Sequence, residues 1–443
     1  MAAIDKSIYE ELTIESNNQS KTVDIRSGTV SIDYYEDIFS PTITAKIRVV
    51  NTGDSIQASD SLGGADGSRQ SIYNGLPLRG GERVSLKIKG NTDKNPGLNF
   101  TKDTLYVSSI TDVISETNRE TFLLNLVSRE AITNETSRVA KKYPTTSSID
   151  TSVRSIISEY LQTNRIGTID KTSNPYGFIG NLRKPFTVLV WLASKGVPDI
   201  SKDATAGFVF FQTKDGFQFR SIDKLIMDSS KAEYYYSQVN ENRIGSNTDF
   251  KILKYNTQRN QNLLEKLRLG TYSSYRMFYN PLTFGFTKEQ DGVFKLDNYS
   301  SQVKNLGKKL DLPKISSGSN VNLGDVPTRI LTQILDVGTV ESGISTSLNS
   351  DPIKYQSQAI MRYNILFTQS VNMIVPSNTN LRAGDIISCK FPRISSDDKD
   401  EFDKEQSGLY MIKELCHHFD TEASYTSMKL VRDTFGLYGT NNK

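Results

Sequence analysis

Catalysis and metal binding draw on a few residue types, and this sequence uses them sparingly. Among 443 residues there are two histidines and two cysteines: His417, His418, Cys389 and Cys416. Three of them stand together as Cys416-His417-His418, in a segment that reads as a strand. Neighbours on a strand point to opposite faces, so the two imidazoles do not share a metal. Cys389, Cys416 and His418 would meet on one face if their strands pair, which is a zinc donor set. Buried thiols with a packed or edge imidazole are the simpler reading. The run 395–406, SSDDKDEFDKEQ, is an acidic exposed loop. Its carboxylates from Asp397 to Glu405 lack the spaced Asp/Asn–Gly pattern of a calcium loop. Phe208, Phe210, Phe217 and Phe219 could stack bases, but few basic residues adjoin them, and core packing is favoured. Gly63-Gly64 lies in a long loop and Gly80-Gly81 precedes a strand, so neither offers helix amides to a phosphate. There is no phosphate-binding loop and no nucleophile elbow. With 50 acidic residues, a carboxylate pair suited to glycoside hydrolysis carries no signal. No catalytic, cofactor-binding or metal residue is assigned, and no cofactor is expected.

The elements that would carry these residues are mostly strands. Ile43, Ala45, Ile47 and Val49 alternate with polar residues, so 30–50 reads as strand, turn, strand. A Gly-rich loop, 59–69, follows. The turn Leu78-Arg79-Gly80-Gly81-Glu82 feeds a strand with Val84, Leu86 and Ile88 on one face. Further strands are expected at 105–113 and 122–127. Beyond residue 130 the period lengthens: Val153, Ile156, Ile157, Tyr160 and Leu161 share a helical face behind Asp150 as N-cap. Another helix starts at Pro185 and ends before Gly196, apolar nearly all round and so expected buried. Asp215-Gly216 between two aromatic runs is the strongest hairpin signal. Leu263, Leu264 and Leu267 predict a helix closed by Gly270. A further helix is expected from Pro327 to Val337, capped by Asp325, after a Ser/Gly/Asn-rich loop at 316–324. The last hundred residues return to β.

The sequence also repeats itself. Leu78-Arg79-Gly80-Gly81-Glu82-Arg83-Val84-Ser85-Leu86-Lys87-Ile88 resembles Leu381-Arg382-Ala383-Gly384-Asp385-Ile386-Ile387-Ser388-Cys389-Lys390-Phe391, with five of eleven positions identical at an offset of 303. Leu105-Tyr106-Val107 matches Leu409-Tyr410-Met411, and Leu126-Val127 matches Leu430-Val431, both at 304. Arg129-Glu130 matches Arg432-Asp433 at 303. A near-constant offset points to a duplicated β-unit, one copy at each end, with unlike material between. Three copies of such a chain present six similar modules in a ring, which matches a three-fold object to a six-fold one.

Composition narrows the function classes. The 53 basic and 50 acidic residues leave a net charge of +3 with no basic block, so no nucleic-acid-binding stripe stands out. No apolar run reaches the ~18 residues of a membrane span, and MAAIDKSIYEEL lacks a signal peptide's apolar core. Two cysteines do not make a disulfide framework, which suits cytosolic assembly. The fold class expected is α+β, β-dominated: two tube-like antiparallel β-domains with two mixed, partly helical inserts. The boundaries expected are 1–130 for the first tube-like domain, 131–205 for a helical insert, 206–245 with 346–443 for the second, discontinuous tube-like domain, and 246–345 for a mixed insert.

The segments 208–225 (FVFFQTKDGFQFRSIDKL) and 407–436 (SGLYMIKELCHHFDTEASYTSMKLVRDTFG) resemble the central baseplate hub proteins of T-even-like contractile-tailed myoviruses, particularly those of marine and cyanobacterial hosts. Tyr34-Tyr35-Glu36-Asp37-Ile38 and 76–82 are similar to that family too; 246–345 is weakly covered. The resemblance implies a non-catalytic homotrimer that joins the tail tube to the central spike and forms part of the channel for DNA and tape measure. It implies as partners the central spike or tail lysozyme, the tail tube or tube-initiator protein, the tape-measure protein and the baseplate wedge proteins. Sequence-specific nucleic-acid binding is not implied. The implied location is the virion tail baseplate, assembled in the host cytoplasm. It also implies that the second tube-like domain takes its hairpin from around 206–245. Two alternatives are the trimeric spike base of a related injection or secretion device, expected to carry a spike repeat after its tube domains, and a tail-associated cell-wall hydrolase, for which the sequence offers no motif.

Overall fold

The computed structural model describes residues 4–18, 21–52, 56–57, 69–90, 95–200, 205–236, 250–259, 262–299, 304–308, 310, 312–336, 352–393 and 402–437. The Gly-rich loop 59–69 lies almost wholly outside the described residues, as does the acidic stretch 394–401.

The chain is β-dominated. Its first part contributes β1 (Ile8–Glu15), β2 (Thr22–Asp24), β3 (Thr29–Asp37), β4 (Thr44–Asn51), β5 (Arg83–Lys89), β6 (Leu98–Asn99), β7 (Leu105–Ser115) and β8 (Glu120–Ser128). Alternation sets the faces: Ile43, Ala45, Ile47, Val49, Leu86, Leu105, Leu124 and Leu126 turn inward to one buried cluster. A helix α1 (Arg129–Thr136) then leads into the helical insert.

In that insert α2 (Ile149–Tyr160) buries Ile149, Val153, Ile156 and Ile157. Ser148, not Asp150, holds the N-cap position. Asp150 sits in the first turn, where its carboxylate accepts from the Thr172 hydroxyl at 2.9 Å. After β9 (Ile166–Ile169), α3 (Pro185–Ala193) is buried on one face only: Val190 is 48% and Trp191 39% exposed. The expected hairpin is β10 (Phe208–Thr213) and β11 (Gly216–Ser221), turning at Lys214-Asp215 with Gly216 at φ +115°. Its ladder runs to β9 in parallel, and among the described residues it pairs with no strand beyond residue 345. That corrects the expectation that the hairpin belongs to the second tube-like unit. Phe208, Phe210, Phe217 and Phe219 need the apolar faces of α2 and α3, and they join that core. The other face of β10, Val209 and Phe211, packs on Ile386, Met411 and Val431 of the second unit.

After α4 (Ile222–Met227) come β12 (Glu233–Tyr235), β13 (Lys254–Arg259) and α5 (Leu263–Arg268), the last N-capped by Asn262 and followed by Gly270 at φ +68°. β13 pairs with a strand of the last hundred residues, so it belongs to the second unit rather than to an insert spanning 246–345. A small sheet holds β14 (Ser273–Asn280), β15 (Gly285–Phe286), β16 (Val293–Lys295) and β17 (Arg329–Ile334). β17 replaces the helix expected from Pro327 to Val337. Ile330, Thr332 and Ile334 alternate as β-branched residues, and β14 offers an open edge that takes six rungs, Ser274↔Arg329 to Tyr279↔Ile334. Asp325 caps nothing; it accepts from the Asn322 amide and faces Lys295 at 3.6 Å.

The last part is not all β. The helix α6 (Pro352–Ile365), unexpected from the sequence, precedes β18 (Gln369–Pro376), β19 (Ile386–Lys390), β20 (Gly408–Asp420) and β21 (Ser424–Arg432). Its Arg362, 1% exposed, pairs with Asp223 at 2.7 Å and Asp433 at 3.4 Å, both buried. This triad ties α4, α6 and the end of β21 together. Strands of both ends merge into one 14-stranded sheet, whose main path runs β13-β18-β21-β20-β3-β4-β8-β7-β5-β1-β2.

Candidate assembly interface

The order β13-β18-β21-β20 is repeated as β3-β4-β8-β7, and the repeat begins at its turn. Gly81 has φ +90° and Gly384 φ +92°, a conformation that costs any residue with a Cβ. A carboxylate then closes each turn: Glu82 accepts from the Arg79 amide at 2.7 Å, and Asp385 from the Arg382 amide at 2.9 Å. The Gly81 amide donates to the Val107 carbonyl and the Gly384 amide to Ile412; the return bonds run from Val107 to Glu82 and from Ile412 to Asp385. The motif recurs because one geometry needs a glycine and an acid at fixed places.

Those bonds also correct the register. Val107 corresponds to Ile412 and Leu105 to Tyr410, an offset of 305, so the match of Leu105-Tyr106-Val107 to Leu409-Tyr410-Met411 is one residue out. A one-residue slip exchanges faces, and Leu105 and Tyr410 are both 0% exposed. Each strand then bulges at the same point. Val107 faces Leu126 and Ser109 faces Asn125; Ile412 faces Leu430 and Glu414 faces Lys429. Leu126 and Leu430 therefore hold one place, as expected, and Leu86 and Cys389 both point into their cores. Past them the offset stays at 304, so buried Arg432 stands where Ser128 does, and Arg129 has no counterpart in Arg432.

The two units meet in a seam of seven rungs, Glu414↔Asp37 to Asp420↔Ser31, between β20 and β3. On the core side His417 stacks on Tyr34 and bonds Thr426 at 3.0 Å; burial pushes its pKa down to about 3. On the other face His418 reaches Asp33 at 2.5 Å and Asp420 at 3.2 Å and stacks on Tyr425. Asp33 raises its pKa. Lys413, the bulged residue, binds Asp37 at 2.6 Å. The hairpin tip rivets this junction: the Lys214 amide donates to buried Glu36, the Lys214 ammonium to the Gly97 carbonyl, and Arg382 to Asp215 at 2.8 Å. Burial raises the Glu36 carboxyl.

The residues that could do chemistry are dispersed by this arrangement. Cys389 lies in the second core, whereas Cys416 and His418 point away from it, so pairing β19 to β20 does not bring the three onto one face. Burial pushes the Cys416 thiol up to about 12, which leaves it unreactive at neutral pH. Among the described residues no three His, Cys, Asp or Glu side chains are grouped to hold a metal. Of the acidic run, Asp403 accepts from the amides of Glu405 and Gln406, and Glu405 pairs with Lys308. No helix among the described residues is long and apolar enough to cross a membrane.

The face of the sheet turned away from both cores is indented around the join of the two units. A cavity of about 750 Å³ lies over β13, β18, β21, β20 and β3, and a smaller one over β3 and β4. The wall is mixed in charge: Asp33, Asp37 and Glu414 stand among Lys46, Lys254 and Lys429. Sequence reasoning identified the repeated turn but missed the seam and the Arg362 triad, whose partners lie too far apart in the chain for any spacing rule.

The sequence matches no protein-family model and no curated protein. The fold does have relatives among solved structures. It is similar to the tail protein of Neisseria meningitidis MC58, with a TM-score of 0.52, 10% identity, and 96% of each chain covered. It is also similar to the 43 kDa tail protein of prophage MuSo2 from Shewanella oneidensis, with a TM-score of 0.51, 9% identity, and 96% of this chain and 98% of that one covered. At such identities the likeness is one of fold, and it extends over nearly the whole chain.

Proposed function

We propose that this chain is a structural hub subunit of a phage-type contractile tail, and not an enzyme. In this reading three copies close into a pseudo-six-fold ring that joins the tail tube to the central spike and encloses a passage for DNA and tape measure. The observation that carries it is the joining of two copies of one module, edge to edge, in one continuous sheet. One chain is then a third of a closed ring, and closure removes the sheet edges that otherwise invite aggregation. The mixed charge of the indented face suits a conduit, because a strongly basic wall would gain counterion-release affinity and hold DNA.

The partners that follow are the central spike or tail lysozyme, the tube or tube-initiator protein, the tape-measure protein and the baseplate wedges. The place of action is the virion tail baseplate, after assembly in the host cytoplasm. The first module corresponds to 1–130. The second draws on β12, β13 and the strands of 346–443, with the hairpin 208–221 grouped with the helical insert. The test is electron microscopy of the protein co-expressed with a trimeric tail spike. Six-lobed, open-centred particles with three chains per ring are expected. Solid or two-fold particles, or submicromolar duplex binding by the ring at about 0.15 M salt, would contradict the reading.

A further inference from the structure

The small sheet of β14 to β17 holds a charge without a partner. Arg276 of β14 is only 2% exposed, and its Nε and Nη1 have no hydrogen-bond partner among the described residues. A buried guanidinium needs an acid, and this one has a second cation beside it. Arg329 of β17 pairs with Ser274, two residues before Arg276, so the two arginines are diagonal neighbours on one face. Burial, with Arg329 nearby, pushes the pKa of Arg276 down to about 10. That face is covered at its start, where Gly270 packs against Ser274 and Arg329. Farther along it, Gln333 is exposed. β17 is also an edge: among the described residues it pairs with β14 alone, so its outer backbone groups face no strand. The opposite face of the sheet is apolar and open, with Ile330 67%, Ile334 73% and Phe286 60% exposed. Tyr279 links the last two, lying opposite Ile334 and in ring contact with Phe286 at 5.1 Å.

We propose that the free edge of β17 takes up an extended segment of another protein, alternating acidic and apolar residues, whose carboxylates meet Arg276 and Arg329. Charge complementarity names this occupant. A strand added to β17 presents alternate residues to the two faces. Its acids then fall on the side of the two guanidiniums, and its apolar residues on the side of Ile330 and Ile334. The added strand lies about 10 Å from β14, a gap that a glutamate and an arginine side chain span together. A second copy of this chain fits the edge badly, because β17 paired with β17 of another copy sets four guanidiniums on one face. The proposal stands apart from the ring and from the strands that would close it.

The experiment uses the full chain and two labelled ten-residue peptides, one alternating valine with glutamate and one alternating valine with lysine, read by fluorescence anisotropy. The glutamate peptide is expected to bind saturably, with a Kd below about 1 mM, and the lysine peptide about tenfold more weakly or worse. Arg276→Met should weaken the glutamate peptide about tenfold. Ile330→Ser, at an exposed site on the other face, should weaken it about fivefold. Without peptide, Arg276→Met should raise the thermal midpoint, because it removes a buried charge that has no partner. A lowered midpoint would show an acid of this chain already on Arg276 and would overturn the proposal. Equal binding of the two peptides, or binding of neither, would overturn it on the unaltered protein. Inorganic phosphate that stabilises the chain through Arg276, with no binding of the glutamate peptide, would leave a small oxyanion site in place of a strand. Self-association lost in Ile330→Ser would give the edge to a second copy instead.

Discussion

The turns at Gly81 and Gly384 share a conformation, a carboxylate cap and a bonding partner, yet the modules they open are finished differently. In the first, the strand after the turn pairs with antiparallel β1; in the second, it pairs with parallel β12. Among the described residues the first leaves the far edge of β7 bare, whereas the second covers that of β20 with seven rungs, the Lys413–Asp37 pair and the His418 contacts. The second is also bound through α6 to the hairpin region by the Arg362 triad. Duplication preserved what the turn geometry demands and left the borders free to diverge.

The largest effect that would sharpen this contrast comes from the triad. Arg362→Leu leaves Asp223 and Asp433 buried without their cation, and a loss of about 3–5 kcal/mol is expected in urea unfolding. Hydrogen exchange should quicken in β18 to β21 while β4 and β8 stay protected. Uniform quickening would mean that the modules share one stability. Next come the turn glycines. Gly81→Ala and Gly384→Ala should each cost about 1–3 kcal/mol, because both stand near φ +90°. Gly384→Ala should cost more, since its Cβ meets Phe211 at 3.2 Å and Leu225 at 3.3 Å inside a core, whereas that of Gly81 meets only the Asn17 side chain. If either substitution is neutral, the turns are not equivalent.

Legibility in the sequence followed the range of the forces involved. The turn, the hairpin (expected at Asp215-Gly216 and found turning one residue earlier) and the α2 face were readable because each is decided within a dozen residues. The helix expected at 327–337 was not, because the free edge of β14 that converts it to a strand lies some fifty residues away in the chain. The hairpin was found but its neighbour misjudged: its two faces are both apolar, and alternation does not say which one takes the ladder. The slip from 304 to 305 has the same origin, since Tyr410 and Met411 are both buried and the sequence pattern shows no preferred register. The seam was invisible, as β20 and β3 lie nearly 400 residues apart.

A smaller effect separates the adjacent histidines of the seam. His417, buried neutral with a pKa near about 3, takes up its proton in the unfolded chain first. Stability should therefore fall as pH drops below about 6.5, at about 1 kcal/mol per unit, and His417→Gln should remove that slope. His418 has the opposite sign. Its raised pKa gives a contribution complete below the unfolded value of 6.5 and lost as pH rises through the folded one. The deficit of His418→Gln, below about 1 kcal/mol for a pair at the border of solvent, should shrink as the solution becomes alkaline. Chemical-denaturation series across pH would show the two slopes. A common slope would mean that the two rings do not occupy opposite faces of β20.

The most direct test of the central claim, that one chain is two sixths of a ring, is the mass of the protein in solution by light scattering, with and without a trimeric tail spike. Three chains per particle are expected, concentration-dependent when free and stable when the spike is bound. Monomers at high concentration in the spike's presence would contradict the account.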